Sequence, residues 1–142
     1  MSATPIIWRV HTAAEHERVY RMLDSDDGRS SFWAESAVEK NGVISFEFIN
    51  GVSYRSTILN RHPPLIWTVE YFHSKVTFEL SPTGDGGTDI TLTNTGVKPE
   101  DHAEVQAGWL NVLFPLKATV DFGVDLRNHD PERTWDQRFI DQ

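Results

Sequence analysis

Pro99-Glu100-Asp101-His102-Ala103-Glu104-Val105-Gln106-Ala107-Gly108-Trp109-Leu110-Asn111-Val112-Leu113-Phe114-Pro115-Leu116, running on to about Leu126, reads as one long α-helix. Val105, Trp109, Val112, Leu113, Leu116 and Val120 recur at steps of four, three, one, three and four, the spacing of a single helical face. Pro99 suits the first helical position, where a missing N–H costs nothing, and Glu100 and Asp101 complement the positive end of the helix dipole. Ala103, Ala107, Leu110, Phe114, Ala118 and Phe122 form a second apolar stripe, which predicts that two sides of the helix are covered. Inside the helix, Pro115 removes one hydrogen bond and collides with the carbonyl of Asn111, at about 3 kcal/mol or more. A kink that wraps the helix around the surface beneath it, or lifts one end away, is expected there.

The residues before the helix supply that surface. Between Ala37 and Val97 the apolar period falls to two. Glu35 to Lys40, Val43 to Ile49, Val52 to Asn60, Ile66 to Phe72, Lys75 to Leu80 and Thr88 to Thr95 read as strands. Asn41-Gly42 and Asn50-Gly51 are type I′ hairpin signals, Pro63-Pro64 is a stiff extended corner, and Asp85-Gly86-Gly87 supplies positive φ. Connections this short join neighbouring antiparallel strands into a meander. Val76, Phe78 and Leu80 alternate with Lys75, Thr77 and Glu79, so one face is buried and the other wet. The long helix is the element large enough to cover the buried face.

Ahead of the meander, Ile6 to His11 reads as a first strand with Ile6, Trp8 and Val10 on one side. Thr12-Ala13-Ala14-Glu15 has the form of a capping box, which predicts a helix from Ala13 to about Leu23 burying Val19, Tyr20 and Leu23. Asp24-Ser25-Asp26-Asp27-Gly28 ends it, and Arg29 to Trp33 forms a short second helix with Phe32 and Trp33 as an apolar plug. After the long helix, Asp125 to Gln142 is polar, and Pro131 stops any helical continuation. Trp135 and Phe139, four residues apart, form one apolar patch, which packs on the body of the protein or on a second subunit of a homodimer.

Length and composition bound the function. A chain of 142 residues suits one domain with a real core. Thirteen basic against 21 acidic residues leave a net charge of −8, which repels phosphate and argues against nucleic acid or an anionic membrane as partner. With no cysteine there is no disulfide, thiol nucleophile or thiolate metal site. No apolar run approaches 18 residues and the N-terminus carries no secretory pattern, so a soluble cytoplasmic protein is expected. Five Trp and eight Phe are the unusual part of the composition.

The order of strand, two helices, meander and long C-terminal helix resembles the α+β helix-grip fold of the START/SRPBCC superfamily. Within it the chain resembles the family related to the C-terminal domain of the activator of heat-shock protein 90 ATPase. The residues that carry the resemblance lie between about 6 and 122. Val19-Tyr20 matches the first helix, and Pro63-Pro64-Leu65 with Trp67 matches a strand entry. Gly87-Thr88, Thr91-Leu92-Thr93 and Gly96 match the last strand, and Gly108-Trp109 with Leu113 and Leu116 match the grip helix. The resemblance implies a curved antiparallel sheet of about seven strands wrapped around the C-terminal helix, with open space between the two.

Chemistry-bearing patterns are few. Six histidines, at 11, 16, 62, 73, 102 and 129, include no i, i+4 pair, so no metal or other cofactor is expected. Asp24, Asp26 and Glu35 stand at positions 1, 3 and 12 of an EF-hand loop, but Arg29 occupies the position that demands glycine. Asp85-Gly86-Gly87-Thr88 is too short for a phosphate loop, and no Gly-x-Ser-x-Gly elbow occurs. A two-residue turn at Asn50-Gly51 would pair Phe48 with Ser53, Glu47 with Tyr54 and Phe46 with Arg55. Both faces of that hairpin would then be mixed, as in a ligand cavity whose few polar groups orient a guest. A bulge that shifts the register, or an exposed Arg55 lying over Phe46, would give the same pattern without a cavity.

Large aromatic residues usually fill cores. If the space implied by the resemblance is open, Phe46, Phe48, Tyr54, Trp67, Tyr71, Phe78, Trp109, Val112, Leu113 and Leu116 are its lining candidates, with Glu47, Arg55 and His73 as polar candidates. The resulting expectation is a binding module for a small hydrophobic or aromatic molecule. The alternatives are an enzyme in the manner of polyketide cyclases, using the same pocket, and an interaction protein of co-chaperone type.

Overall fold

The computed structural model describes residues 4–142. Its strands are β1 (Ile6–Thr12), β2 (Ser36–Lys40), β3 (Val43–Glu47), β4 (Ser53–His62), β5 (Ile66–Tyr71), β6 (Ser74–Pro82) and β7 (Thr88–Thr95). They form one antiparallel sheet in the order β1-β7-β6-β5-β4-β3-β2. Two short helices, α1 (His16–Leu23) and α2 (Asp26–Phe32), follow β1, and a 3₁₀ turn at Pro99–Asp101 leads into α3 (His102–Phe122). This is the helix-grip fold expected from the sequence. Among the described residues no helix is long and apolar enough to cross a membrane.

Alternation places the core. Trp67 and Val69 of β5, Val76, Phe78 and Leu80 of β6, and Ile90 and Leu92 of β7 are buried on one face of the sheet. Trp109, Val112, Leu113, Leu116 and Val120 of α3 are buried too, and Pro99 sits at the start of its 3₁₀ lead-in. The helix remains α-helical past Pro115 and stops at Phe122, four residues short of Leu126, because Gly123 turns left-handed at φ 65°.

The second stripe of α3 is uncovered, contrary to the sequence expectation. Leu110, Phe114 and Phe122 are 37, 58 and 71% exposed. The sheet lies on one side of the helix only, and the short helices touch it without reaching that stripe.

Two local readings also need correction. The Thr12 capping box does not form: α1 begins one turn later with Glu15 as a cap that makes no side-chain hydrogen bond. Thr12 is instead the last residue of β1, opposite Thr88, and donates to the Thr88 and Ala14 carbonyls. The orphan N–H groups of Ala13 and Ala14 donate to the Asp121 carboxylate at 2.9 and 3.0 Å, which ties the start of α1 to the end of α3. Likewise Asp24 to Gly28 does not only stop a helix. Ser25 accepts from the Gly28 N–H at 3.0 Å and caps α2, so that helix starts at Asp26, with Asp26 and Asp27 at its positive end.

The β3–β4 connection decides which side chains reach the inner face. Asn41-Gly42 has the two positive φ values of a type I′ turn, 51° and 81°. Asn50-Gly51 does not: only Gly51 is positive, at 87°. The Asn50 side-chain oxygen accepts from the Val52 N–H, Gly51 N–H donates to Phe48 O, and the loop widens. The observed partners are Ser45–Arg55, Phe46–Tyr54 and Glu47–Ser53, one residue away from the two-residue-turn register. A one-residue slip exchanges the faces. Tyr54 and Ser56 join Phe46 and Ile44 inside, whereas Glu47 and Arg55 are exposed, so the faces are segregated rather than mixed.

Candidate functional site

A cavity of about 590 Å³ lies between the sheet and the N-terminal half of α3. The elements diverge at this end. A Cβ built on Gly108, which lines the cavity, would meet no atom within 4 Å. Farther along, Leu113 and Leu116 are 3% and 0% exposed and close the core.

Aromatic rings form the inner end. Trp33, at the end of α2, lies with its ring centroid 5.4 Å from Tyr71 and 6.0 Å from Trp109, and Tyr71 is 5.4 Å from Trp109. Hydrogen bonds fix these rings as well as packing. Trp33 Nε1 donates to the Tyr71 hydroxyl at 3.1 Å, and Trp109 Nε1 donates to Asn94 Oδ1 at 2.9 Å. Asn94 Nδ2 in turn donates to Ser74 Oγ at 2.9 Å and to the Lys75 carbonyl at 3.0 Å. Burial pushes the Tyr71 hydroxyl above its ordinary range, so it stays protonated. Its oxygen accepts from Trp33, and its own proton has no acceptor among the described residues. Val97, Val105 and Val112 supply aliphatic wall.

The mouth is polar. Asp101 and Glu104 of the helix start, Lys98, His73 of the β5–β6 turn and Asn50 of the β3–β4 loop surround it. The C-terminal segment crosses it, with Trp135 and Asp136 among the lining residues. Trp135 Nε1 donates to Glu104 Oε1 at 3.3 Å, and Asn50 Nδ2 donates to Asp136 Oδ2 at 3.0 Å.

Of the lining candidates read from the sequence, Phe48, Tyr71, Trp109 and Val112 border the cavity, as does His73 among the polar ones. Phe46, Trp67, Phe78, Leu113 and Leu116 lie in the solid core instead. Tyr54 stacks on Phe72 at 4.3 Å and gives its hydroxyl to Glu70. Glu47 and Arg55 point away, for the reason of register given above. Trp33, an apolar plug in the sequence reading, borders the cavity as well, and so do Asn94 and Val105, which that reading does not place there. In the tail Trp135 is half-buried and Phe139, at 38% exposed, is partly covered. Among the described residues no three His, Asp or Glu side chains stand where they could hold a metal ion.

Comparison with known proteins places the chain. The family described as Activator of Hsp90 ATPase homolog 1-like protein matches residues 13–121. Among curated proteins no match was found. Many solved structures share the fold, among them the following three. Protein SSP2350 from Staphylococcus saprophyticus superposes with a TM-score of 0.77 at 18% identity, over 87% of this chain and 96% of that one. The Aha1 dimer from Colwellia psychrerythraea gives 0.74 at 20% identity, over 85% and 98%. DynU16, from the dynemicin biosynthetic locus, gives 0.71 at 14% identity, over 87% of this chain and 49% of its own.

Proposed function

The chain belongs to the Activator of Hsp90 ATPase homolog 1-like family, and on that premise we propose that it binds a small, neutral, largely aromatic molecule between α3 and the sheet. The observation that carries this reading is the cavity itself. It is of ligand size, its inner end is walled by two indoles and a phenol, and it carries the protonated Tyr71 hydroxyl. A planar ring would pack against Phe48 and the cavity-facing edges of Trp33 and Trp109, and a carbonyl or ether oxygen would accept from Tyr71. Kinship of fold with DynU16, whose locus makes dynemicin, supports a small-molecule guest. The enzyme reading uses the same cavity. There Tyr71 would polarise a carbonyl as a hydrogen-bond donor rather than act as a base, because burial holds its proton.

An aromatic guest that binds only the folded protein raises its stability by about 2.7 kcal/mol at a hundredfold excess over Kd, a melting shift of about 5–10 °C in a chain of this size. Val112→Trp should abolish that shift at little cost in intrinsic stability, because the new indole occupies space already empty. In a filled core the same change would overpack and cost about 1–3 kcal/mol. A thermal-shift series with planar ketones and phenols on both proteins is the test. No shift with any guest, together with a strongly destabilised variant, would exclude the cavity as a binding site.

A separate observation supports a second copy of the chain as partner. Leu110, Phe114 and Phe122 leave the outer side of α3 apolar and exposed, and the Colwellia relative is a dimer. Sedimentation should show a dimer at tens of micromolar that Phe114→Glu converts to monomer. A monomeric wild-type protein at that concentration would refute it.

A further inference from the structure

The family match ends at residue 121, but the cavity wall does not. Beyond Gly123 the chain turns back and is pinned beside Trp33. Arg127 donates to the carbonyls of Ser30 and Ala34, each at 2.8 Å, and to Asp125 at 3.0 and 3.1 Å. His129 sits between two carboxylates, with Nδ1 2.6 Å from Glu35 Oε2 and Nε2 2.7 Å from Asp125 Oδ2. From this clasp the chain runs to Thr134, which caps a single 3₁₀ turn and presents Trp135 at the cavity mouth.

The far end of the segment is held lightly. Its side-chain links to the mouth are the Trp135–Glu104 and Asn50–Asp136 hydrogen bonds, and both lie in exposed surroundings. Phe139 and Ile140 are 38% and 78% exposed, so little apolar burial beyond that of the half-buried Trp135 fastens it. A segment with few buried contacts and exposed hydrogen bonds opens at low free-energy cost. The clasp end, where the Arg127 side chain is 5% exposed, is the firmer of the two.

We propose that residues 124–142 are a hinged cover of the cavity, with Trp135 as the wall that retains the guest and the Arg127–His129 clasp as the anchor that sets its residence time. The inference rests on the cavity being a guest site. An indole at the mouth stacks on a planar guest without selecting its substituents, so it acts mainly on release.

The clasp also makes retention depend on pH. An imidazolium donates to both Asp125 and Glu35, whereas a neutral imidazole can donate to one of them only. The groups facing His129 are these two carboxylates, with Arg127 sharing Asp125. The hydrogen bond to Asp125, then those of Glu35, raise the His129 pKa above its ordinary 6.5 against the opposing effect of burial. Burial of Asp125 favours its neutral form but is outweighed by Arg127 and His129, which hold it down to about 2. A histidine with a raised pKa gives its full contribution below 6.5 and loses it as pH rises through the folded value. The cover is therefore firmest in mildly acidic solution and loosens on the alkaline side.

The test uses the full chain and N-phenyl-1-naphthylamine, a neutral probe that fluoresces in apolar sites. Stopped-flow displacement should show release at least tenfold faster from Trp135→Ala than from wild type, with most of the retention recovered in Trp135→Phe. Wild-type release should accelerate severalfold between about pH 6 and pH 9, whereas His129→Gln should release fast at every pH. A readout without any guest is amide exchange at Asn128, Arg138 and Phe139, whose N–H groups bond to Asp141, Trp135 and Thr134 carbonyls. It should quicken in His129→Gln while the sheet amides stay unchanged. Probe binding with equal release rates from wild type and Trp135→Ala overturns the cover and leaves the guest site standing. No probe binding by wild type overturns the guest site and the cover with it.

Discussion

Trp33→Ala is expected to cost about 3–5 kcal/mol of stability, the range for deleting a large aromatic side chain from a packed interior. The ring of Trp33 is the hub of the aromatic cluster. Its centroid lies 4.9 Å from Phe46, 5.8 Å from Phe78, 5.9 Å from Phe32 and 6.1 Å from Trp67, besides Tyr71 and Trp109. Removing it also takes away the donor that fixes the Tyr71 hydroxyl. Neighbours this bulky cannot collapse into the hole, so the cavity should extend inward. Added indole should then rebind in the vacated volume and stabilise Trp33→Ala more than wild type, as an apolar guest does in an engineered void. Denaturant unfolding with and without indole measures both effects. A loss under about 1 kcal/mol would mean that Trp33 is not the support of the inner end.

The second large effect is expected at Arg29, whose side chain is fully buried although arginine is rarely so. Its guanidinium donates to the Ala37 carbonyl at 3.1 and 3.0 Å, to the Leu23 carbonyl at 3.0 Å and to Asp26 at 2.6 Å. Leu23 ends α1, Arg29 is in α2 and Ala37 is in β2, so one side chain ties three elements. Burial lowers the Arg29 pKa, and Asp26, Asp24 and Glu39 oppose that, so the charge persists.

Asp26 is 49% exposed, and the ion pair itself is screened and worth little. The cost of losing the guanidinium therefore falls on the two carbonyls, at about 1–3 kcal/mol each, plus the void left behind. Arg29→Met should lose about 3–5 kcal/mol. Arg29→Lys should recover less than half of it, since an ammonium cannot span the same fork of acceptors. Equal stability of Arg29→Met and wild type in chemical unfolding would refute this account.

Neither effect is visible in the sequence, where Arg29 and Trp33 read as the two ends of a short helix, with Trp33 part of its apolar plug. The stop between α1 and α2 was legible in Asp24 to Gly28, but the cap supplied by Ser25 and the burial of Arg29 depend on β2 folding back over them. The Thr12 capping box failed for a similar reason. Thr12 and Thr88 meet across β1 and β7, and once that ladder forms, the Thr12 hydroxyl is spent on the Thr88 and Ala14 carbonyls. The Asp121 carboxylate, more than a hundred residues away, then takes over the N–H groups of Ala13 and Ala14.

The sequence by itself determined the meander, the long helix and the face on which Trp109, Val112, Leu113 and Leu116 lie. These follow from side-chain periodicity, which is set by the local geometry of strand and helix. It did not separate the residues that pack from those that border a space. Trp67 and Tyr71 lie on the same face of β5, four residues apart, yet the first is in the core and the second at the cavity. Nor could it fix the register after Asn50, where one side-chain hydrogen bond within the loop moved Tyr54 inward and Arg55 outward. Only the tertiary structure decided these, because the cavity is the volume left where α3 diverges from the sheet. Its extent depends on distances between elements far apart in the chain, and a repeating pattern along one element carries no measure of them.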